Sequence, residues 1–191
     1  MNKGDKMKSF KRENLLFSLC GLNCGLCPMK IDGYCPGCGG GAGNQSCKIA
    51  RCSMELGGIE YCFQCGKYPC EKYEGIDEFD SFITHQKRRT DFERAGEAGM
   101  DFYNAEQDQK SEMLRELLDH YNDGRRKSFY CTAVNLLDLD DVRAVMESIH
   151  DGLKPDESTL KERAAAAVKI FREKAGERQI VLKLKKKPRK K

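Results

Sequence analysis

The stretch CGLNCGLCPMKIDGYCPGCGGGAGNQSCKIARCSMELGGIEYCFQCGKYPC, residues 20–70, decides how this chain is read. It holds ten of the eleven cysteines and eleven of the 18 glycines. Its large apolar residues are few and keep neither a helical nor a strand period, so the segment by itself predicts no conventional core. Three CxxC pairs, Cys24/Cys27, Cys35/Cys38 and Cys62/Cys65, are joined by Cys20, Cys47, Cys52 and Cys70. Thiols at this density are either cross-linked to one another or clamped on metal. Bound metal is the economical substitute for missing burial.

A CxxC turn presents two thiolates to one tetrahedral ion. Cys35-Pro36-Gly37-Cys38-Gly39 suits that geometry, because proline fixes the entry torsion and the glycine after the second cysteine allows a left-handed turn. Cys62-Phe63-Gln64-Cys65-Gly66 repeats the form. The expectation is a small zinc-ribbon-like module with little regular structure, holding two Zn2+ ions in four-thiolate sites. Cys35, Cys38, Cys62 and Cys65 form the first predicted site. The second draws on Cys20, Cys24, Cys27, Cys47, Cys52 and Cys70. An iron–sulfur cluster is the rival occupant, since Cys20, Cys24 and Cys27 followed by Pro28 have a cluster-like spacing. Redox chemistry by a CxxC pair is a further possibility. Cys131 stands apart on an apolar helical stripe and predicts a small buried hydrophobe.

The segments CGLNCGLCP (20–28), CPGC (35–38), CKIARC (47–52) and YCFQCGKYPC (61–70) resemble, in order, the cysteine-rich bacterial and archaeal family of unknown function numbered 3795. The likeness covers about residues 20–85, and LLDHYNDGRRKSFYCTAVNLLDLDDV (117–142) is similar to the helical extension of many members. The resemblance implies a metal-binding module, most simply for zinc, and no established activity. The spacing between Cys27 and Cys35 is shorter than in many members.

Beyond residue 70 the pattern turns helical. Tyr73, Ile76, Phe79, Phe82 and Ile83 recur at three- and four-residue steps until Gly96 and Gly99. Met113, Leu114, Leu117, Leu118 and Tyr121 form a second stripe, stopped by Asn122, Asp123 and Gly124. Phe129, Ala133, Leu136 and Leu137 follow; Asp138 is the predicted N-cap of a helix using Val142, Val145, Met146 and Ile149. Lys154, Pro155 and Asp156 break the chain before a last helix over about 158–175, and Ile180, Leu182 and Leu184 alternate like a short edge strand. The organisation expected is a polar lead (1–19), a cysteine-rich module (20–70), a mainly α-helical domain (71–152), a C-terminal helix (153–178) and a basic tail (179–191).

Charge is uneven. Residues 183–191, KLKKKPRKK, carry seven cations, and residues 1–12 carry five against one acid. Removing that +7 and +4 from the net +4 leaves −7 for residues 13–182. Basic ends on an acidic body predict weak, salt-sensitive contact with nucleic acid or another polyanion through the tail. Arg125, Arg126 and Lys127, after a glycine turn, form a weaker candidate anion site. Lys87, Arg88 and Arg89 suggest a solvated helix face. His85, His120 and His150 fall near predicted helix ends.

No G-x-S-x-G, P-loop or dinucleotide fingerprint is present, and the chain leans away from enzymes. No apolar run reaches membrane-span length, and the basic, polar N-terminus lacks an apolar signal core. The expectation is a cytoplasmic zinc-binding protein. An unidentified protein partner would meet its helical surface or the 125–127 turn.

Overall fold

Among the described residues, seven α-helices and three short 3₁₀ turns make up the regular structure, and no strand occurs. The computed structural model describes residues 10–41, 47–153 and 158–188. The break at Lys154, Pro155 and Asp156, the N-terminal cations before Phe10 and the last three tail cations lie outside them. In chain order the helices are α1 (Pro28–Ile31), α2 (Lys48–Glu55), α3 (Arg88–Ala98), α4 (Met100–His120), α5 (Lys127–Leu136), α6 (Leu139–Gly152) and α7 (Leu160–Glu177). The described residues divide into two compact units. One runs to Tyr103 and includes the tail from Lys185; the other is Asn104–Leu184.

The second unit follows its apolar period. Leu114 and Leu117 from α4, Tyr121 just beyond its end, Tyr130, Val134 and Leu137 around α5, Val142, Val145 and Ile149 from α6, and Ala164, Ala167 and Phe171 from α7 are all buried. Helix α7 packs on α6 and α5. Thr159 caps α7 through a reciprocal pair with Glu162, which satisfies orphan N–H groups at the helix start. Asp138 does stand at the N-cap of α6, but its side chain makes no cap hydrogen bond. Asp141 in the first turn is instead buried and accepts a bidentate pair from Arg178 at 2.7–3.0 Å. Lys110, also buried, donates to the carbonyl of Leu137 at 2.8 Å beyond the end of α5. Cys131 is buried on α5, as its position on the stripe predicts.

The first unit has a core that residues 20–70 alone do not reveal. Phe17 lies at its centre, with ring centroids 4.8 Å from Tyr103, 5.6 Å from Phe92 and 5.7 Å from Tyr61. Two of those three partners come from α3 and α4. A second cluster joins Phe10, Leu19, Ile49 and Ala50 to Cys38, with Cys20, Cys47 and Cys62 packed against it. The cysteines therefore act partly as small apolar side chains.

Arg12 organises the loops around these clusters. Its buried guanidinium donates to the carbonyls of Asn14 and Phe17 at 3.0 Å, Glu60 at 3.0 Å and Cys38 at 3.3 Å. It also pairs with the Glu60 carboxylate at 3.0 Å and lies 5.1 Å from the Tyr61 ring centroid. One cation thus ties segments that start at residues 12, 38 and 60. Gly39, at φ +90°, passes so close to Arg12 that a Cβ there would lie 2.7 Å from the Arg12 nitrogen. Asn23 is a second buried tie, donating to Asp91 at 3.0 Å and accepting from the Tyr103 hydroxyl at 2.9 Å.

Three expectations are corrected by this architecture. The fold is not a zinc-ribbon-like module followed by a helical domain: α1 and α2 lie inside the cysteine segment, and strands are lacking among the described residues. The alternation at Ile180, Leu182 and Leu184 is likewise not a strand. The helical stripe expected from Tyr73 to Ile83 is a run of turns, and the next α-helix starts at Arg88. The Asp80 carboxylate takes up the His85 amide at 2.7 Å and the Lys185 amide at 2.7 Å, holding this segment in a non-helical course.

Candidate functional site

Backbone hydrogen bonds and helix ends place the ten clustered cysteines. Cys27 starts α1, Cys47 caps α2 by accepting from the Ala50 amide, and Cys62 donates its amide to Leu19. All are free thiols. Burial holds several of them protonated. It pushes the Cys38 thiol up to about 11 and the Cys62 thiol up to about 12. Cys20, Cys24 and Cys27 are raised in the same direction, again chiefly by burial, with neighbouring thiols adding to the effect at Cys24 and Cys27. A buried neutral thiol is a weak nucleophile.

Although several thiols are neighbours, no three or more His, Cys, Asp or Glu side chains among the described residues are grouped to hold a metal ion. That overturns the metal assignment for Cys20, Cys24, Cys27, Cys35, Cys38, Cys47, Cys52, Cys62, Cys65 and Cys70. With it go the two predicted Zn2+ ions, the iron–sulfur alternative and the structural-zinc function. A redox CxxC pair relies on a thiol of lowered pKa, whereas burial raises Cys24, Cys27, Cys38 and Cys62, at least one thiol of each pair, so the CxxC redox alternative also loses its basis. Physically, the burial that metal was expected to replace is supplied by Phe10, Phe17, Phe92 and Tyr103, all outside residues 20–70.

Cys52, Cys62, Cys65 and Cys70 instead line an open depression, together with Leu56, Lys72 and Tyr73. Burial and the adjacent Cys62 thiol raise the Tyr73 hydroxyl far above its ordinary range.

The 125–127 turn closes on itself. The Asn122 side chain accepts from the Gly124 and Arg126 amides at 3.2 and 3.0 Å, and Asp123 accepts from the Arg125 amide at 3.1 Å. Arg126 also faces the Asp123 carboxylate at 3.4 Å. The amides that would cradle an anion are thus already bonded, whereas Arg125 is exposed. Arg88 departs from the expected solvated face: it is buried, pairs with Asp77 and lies 4.6 Å from the Tyr73 ring centroid. His120 ends α4, and His150 near the end of α6 pairs with Glu116. His85 lies in the loop before α3, its ring nitrogen 2.8 Å from the Ile76 carbonyl.

Within the basic tail, Lys185 is fixed at a defined place. The Asp80 amide donates to the Lys185 carbonyl at 2.8 Å, and the Lys185 amide donates to the Asp80 carboxylate at 2.7 Å. Gln86 holds the same carboxylate at 3.1 Å. Lys185, Lys186 and Lys187 are exposed. Nothing in the sequence marks Asp80 as the anchor, because the partners are 105 positions apart.

No family model, curated protein or solved structure matches the chain. The resemblance to family 3795 is corrected accordingly, since its zinc-ribbon character finds neither strands nor a metal-holding group among the described residues. No described helix is long and apolar enough to cross a membrane.

Proposed function

We propose that this chain is a polyanion-binding protein that uses its basic C-terminal segment as the contact surface. The observation that carries this reading is the paired bonding of Lys185 to Asp80, which presents consecutive exposed lysines from a fixed point. A tethered row of cations loses less conformational freedom on binding than a free one, and each phosphate it neutralises releases counterions. Seven cations in residues 183–191 set the scale of the interaction as weak and strongly salt-dependent. Arg125, Arg126 and Lys127 are a secondary cationic element, reduced by the pairing of Arg126 with Asp123. We place the protein in the cytoplasm, a compartment that suits eleven free thiols.

The test is a binding titration of the full chain with inorganic polyphosphate at several salt concentrations. Loss of both affinity and salt slope on deletion of residues 183–191 is the expected result. Unchanged binding after that deletion would refute the assignment to the tail. Asp80→Asn, which weakens the anchor without removing a cation, is expected to lower affinity by a few-fold while leaving the salt slope close to wild type.

A further inference from the structure

Phe82 is 65% exposed, although its neighbours Ile83 and Thr84 are buried. An exposed phenyl ring forgoes on the order of 2 kcal/mol of burial, and here the alternative of turning inward is taken by the next residue. Among the described residues no ring stacks on Phe82. The turn that presents it is well fastened. The Ser81 amide donates to the Ile83 carbonyl at 3.2 Å, and the Ser81 hydroxyl lies 3.1 Å from the His85 ring. His85 in turn bonds its amide to Asp80 at 2.7 Å. Phe82 therefore sits at the tip of a braced turn, two residues from the carboxylate that anchors Lys185. Two residues of chain span at most about 7 Å, so the backbone of Phe82 lies close to the Asp80–Lys185 pair.

An exposed aromatic beside a fixed row of cations is the pairing that single-stranded nucleic acid uses: cations track the phosphates, and an unpaired base stacks on the ring. The basic run itself contains no aromatic residue, and the fold supplies one from elsewhere in the chain. Duplex DNA buries its base faces and inorganic polyphosphate has none, so neither uses the ring. We infer that the physiological polyanion of this surface is a single-stranded nucleic acid, with Phe82 as the stacking platform for one base and Lys185, Lys186 and Lys187 as its phosphate contacts. This inference rests on the polyanion-binding reading above.

The experiment compares wild type, Phe82→Ala and Phe82→Trp against three probes of matched charge: a single-stranded oligonucleotide, the same strand made abasic, and inorganic polyphosphate. The ring is exposed, so these substitutions leave the core intact, and circular dichroism verifies it. The expected result is a loss of about 5- to 100-fold in oligonucleotide affinity for Phe82→Ala, restored by Phe82→Trp, with the abasic strand and polyphosphate unaffected. Equal affinity of wild type for all three probes, unmoved by Phe82→Ala, would overturn the stacking assignment while leaving polyanion binding standing. Failure of wild type to bind any of the three would remove both.

Discussion

The two units of this protein reach burial by different routes. In Asn104–Leu184 the apolar residues recur with the helical period, and each helix brings its own buried face. In the unit that contains the ten clustered cysteines, the buried rings stand far apart along the chain, and single polar side chains stitch loops together. Arg12 reaches four carbonyls and one carboxylate; Asn23 joins Asp91 to Tyr103. A stretch rich in cysteine and glycine can thus take its core from outside its own limits. The difference also bears on how damage spreads. Removing one methyl-rich side chain from the helical unit leaves a cavity, whereas removing Arg12 frees several backbone groups at once.

The largest effect is expected for Arg12→Ala. Loss of a buried, paired cation costs about 3–5 kcal/mol, and the change should concentrate hydrogen exchange near residues 12–19, 38 and 60. Protection there equal to wild type would mean that Arg12 follows the fold instead of holding it. In the helical unit, Leu117→Ala should cost about 2–5 kcal/mol through a cavity, read as a lower denaturant midpoint. A smaller loss of about 1 kcal/mol is expected for Thr159→Ala, which removes the cap of α7; exchange at the first turn of α7 reports it.

The mildest perturbation is alkaline pH. Cys38 and Cys62 have folded pKa values raised from the ordinary 9.0 to about 11 and about 12. A thiol whose pKa is raised by folding contributes stability that is full below pH 9. That contribution fades as pH climbs towards 11 or 12, because the unfolded chain ionises first. Stability of the first unit should therefore decline through that window, together with a late rise in thiolate absorbance. Cys38→Ser and Cys62→Ser should each flatten the decline. A thiolate titration centred at the ordinary value, with no loss of stability, would show that these sulfurs are solvated.

Much of the second unit was legible in the sequence because its information is local. The stripe at Leu114, Leu117 and Tyr121 and its stop at Asn122, Asp123 and Gly124 correspond to α4 and its end. The left-handed glycine after Cys38 was also legible, for Gly39 adopts φ +90°, but the same pattern does not hold after Cys65, where Gly66 stays outside the left-handed region. The first unit was misread where its contacts are long-range. Phe82 lies in phase with an apolar stripe, yet Asp80 ties that segment to a residue 105 positions away and leaves the ring outside. Arg12 looks like one more cation in a basic lead, and no spacing rule reveals that it is buried. The candidate polyanion surface was half legible. The lysine run is plain in the sequence, but its anchor and its neighbouring ring emerge only once the chain is folded.

The central claim is that side chains from outside residues 20–70, led by Arg12 and Phe17, hold the cysteine segment in its fold. The most direct measurement takes the full chain, isolated without air and treated with a strong chelator, and follows near-ultraviolet circular dichroism and thermal unfolding. An unchanged aromatic signal and Tm after chelation is the expected result. Collapse of both, with recovery on adding back zinc or iron, would contradict it.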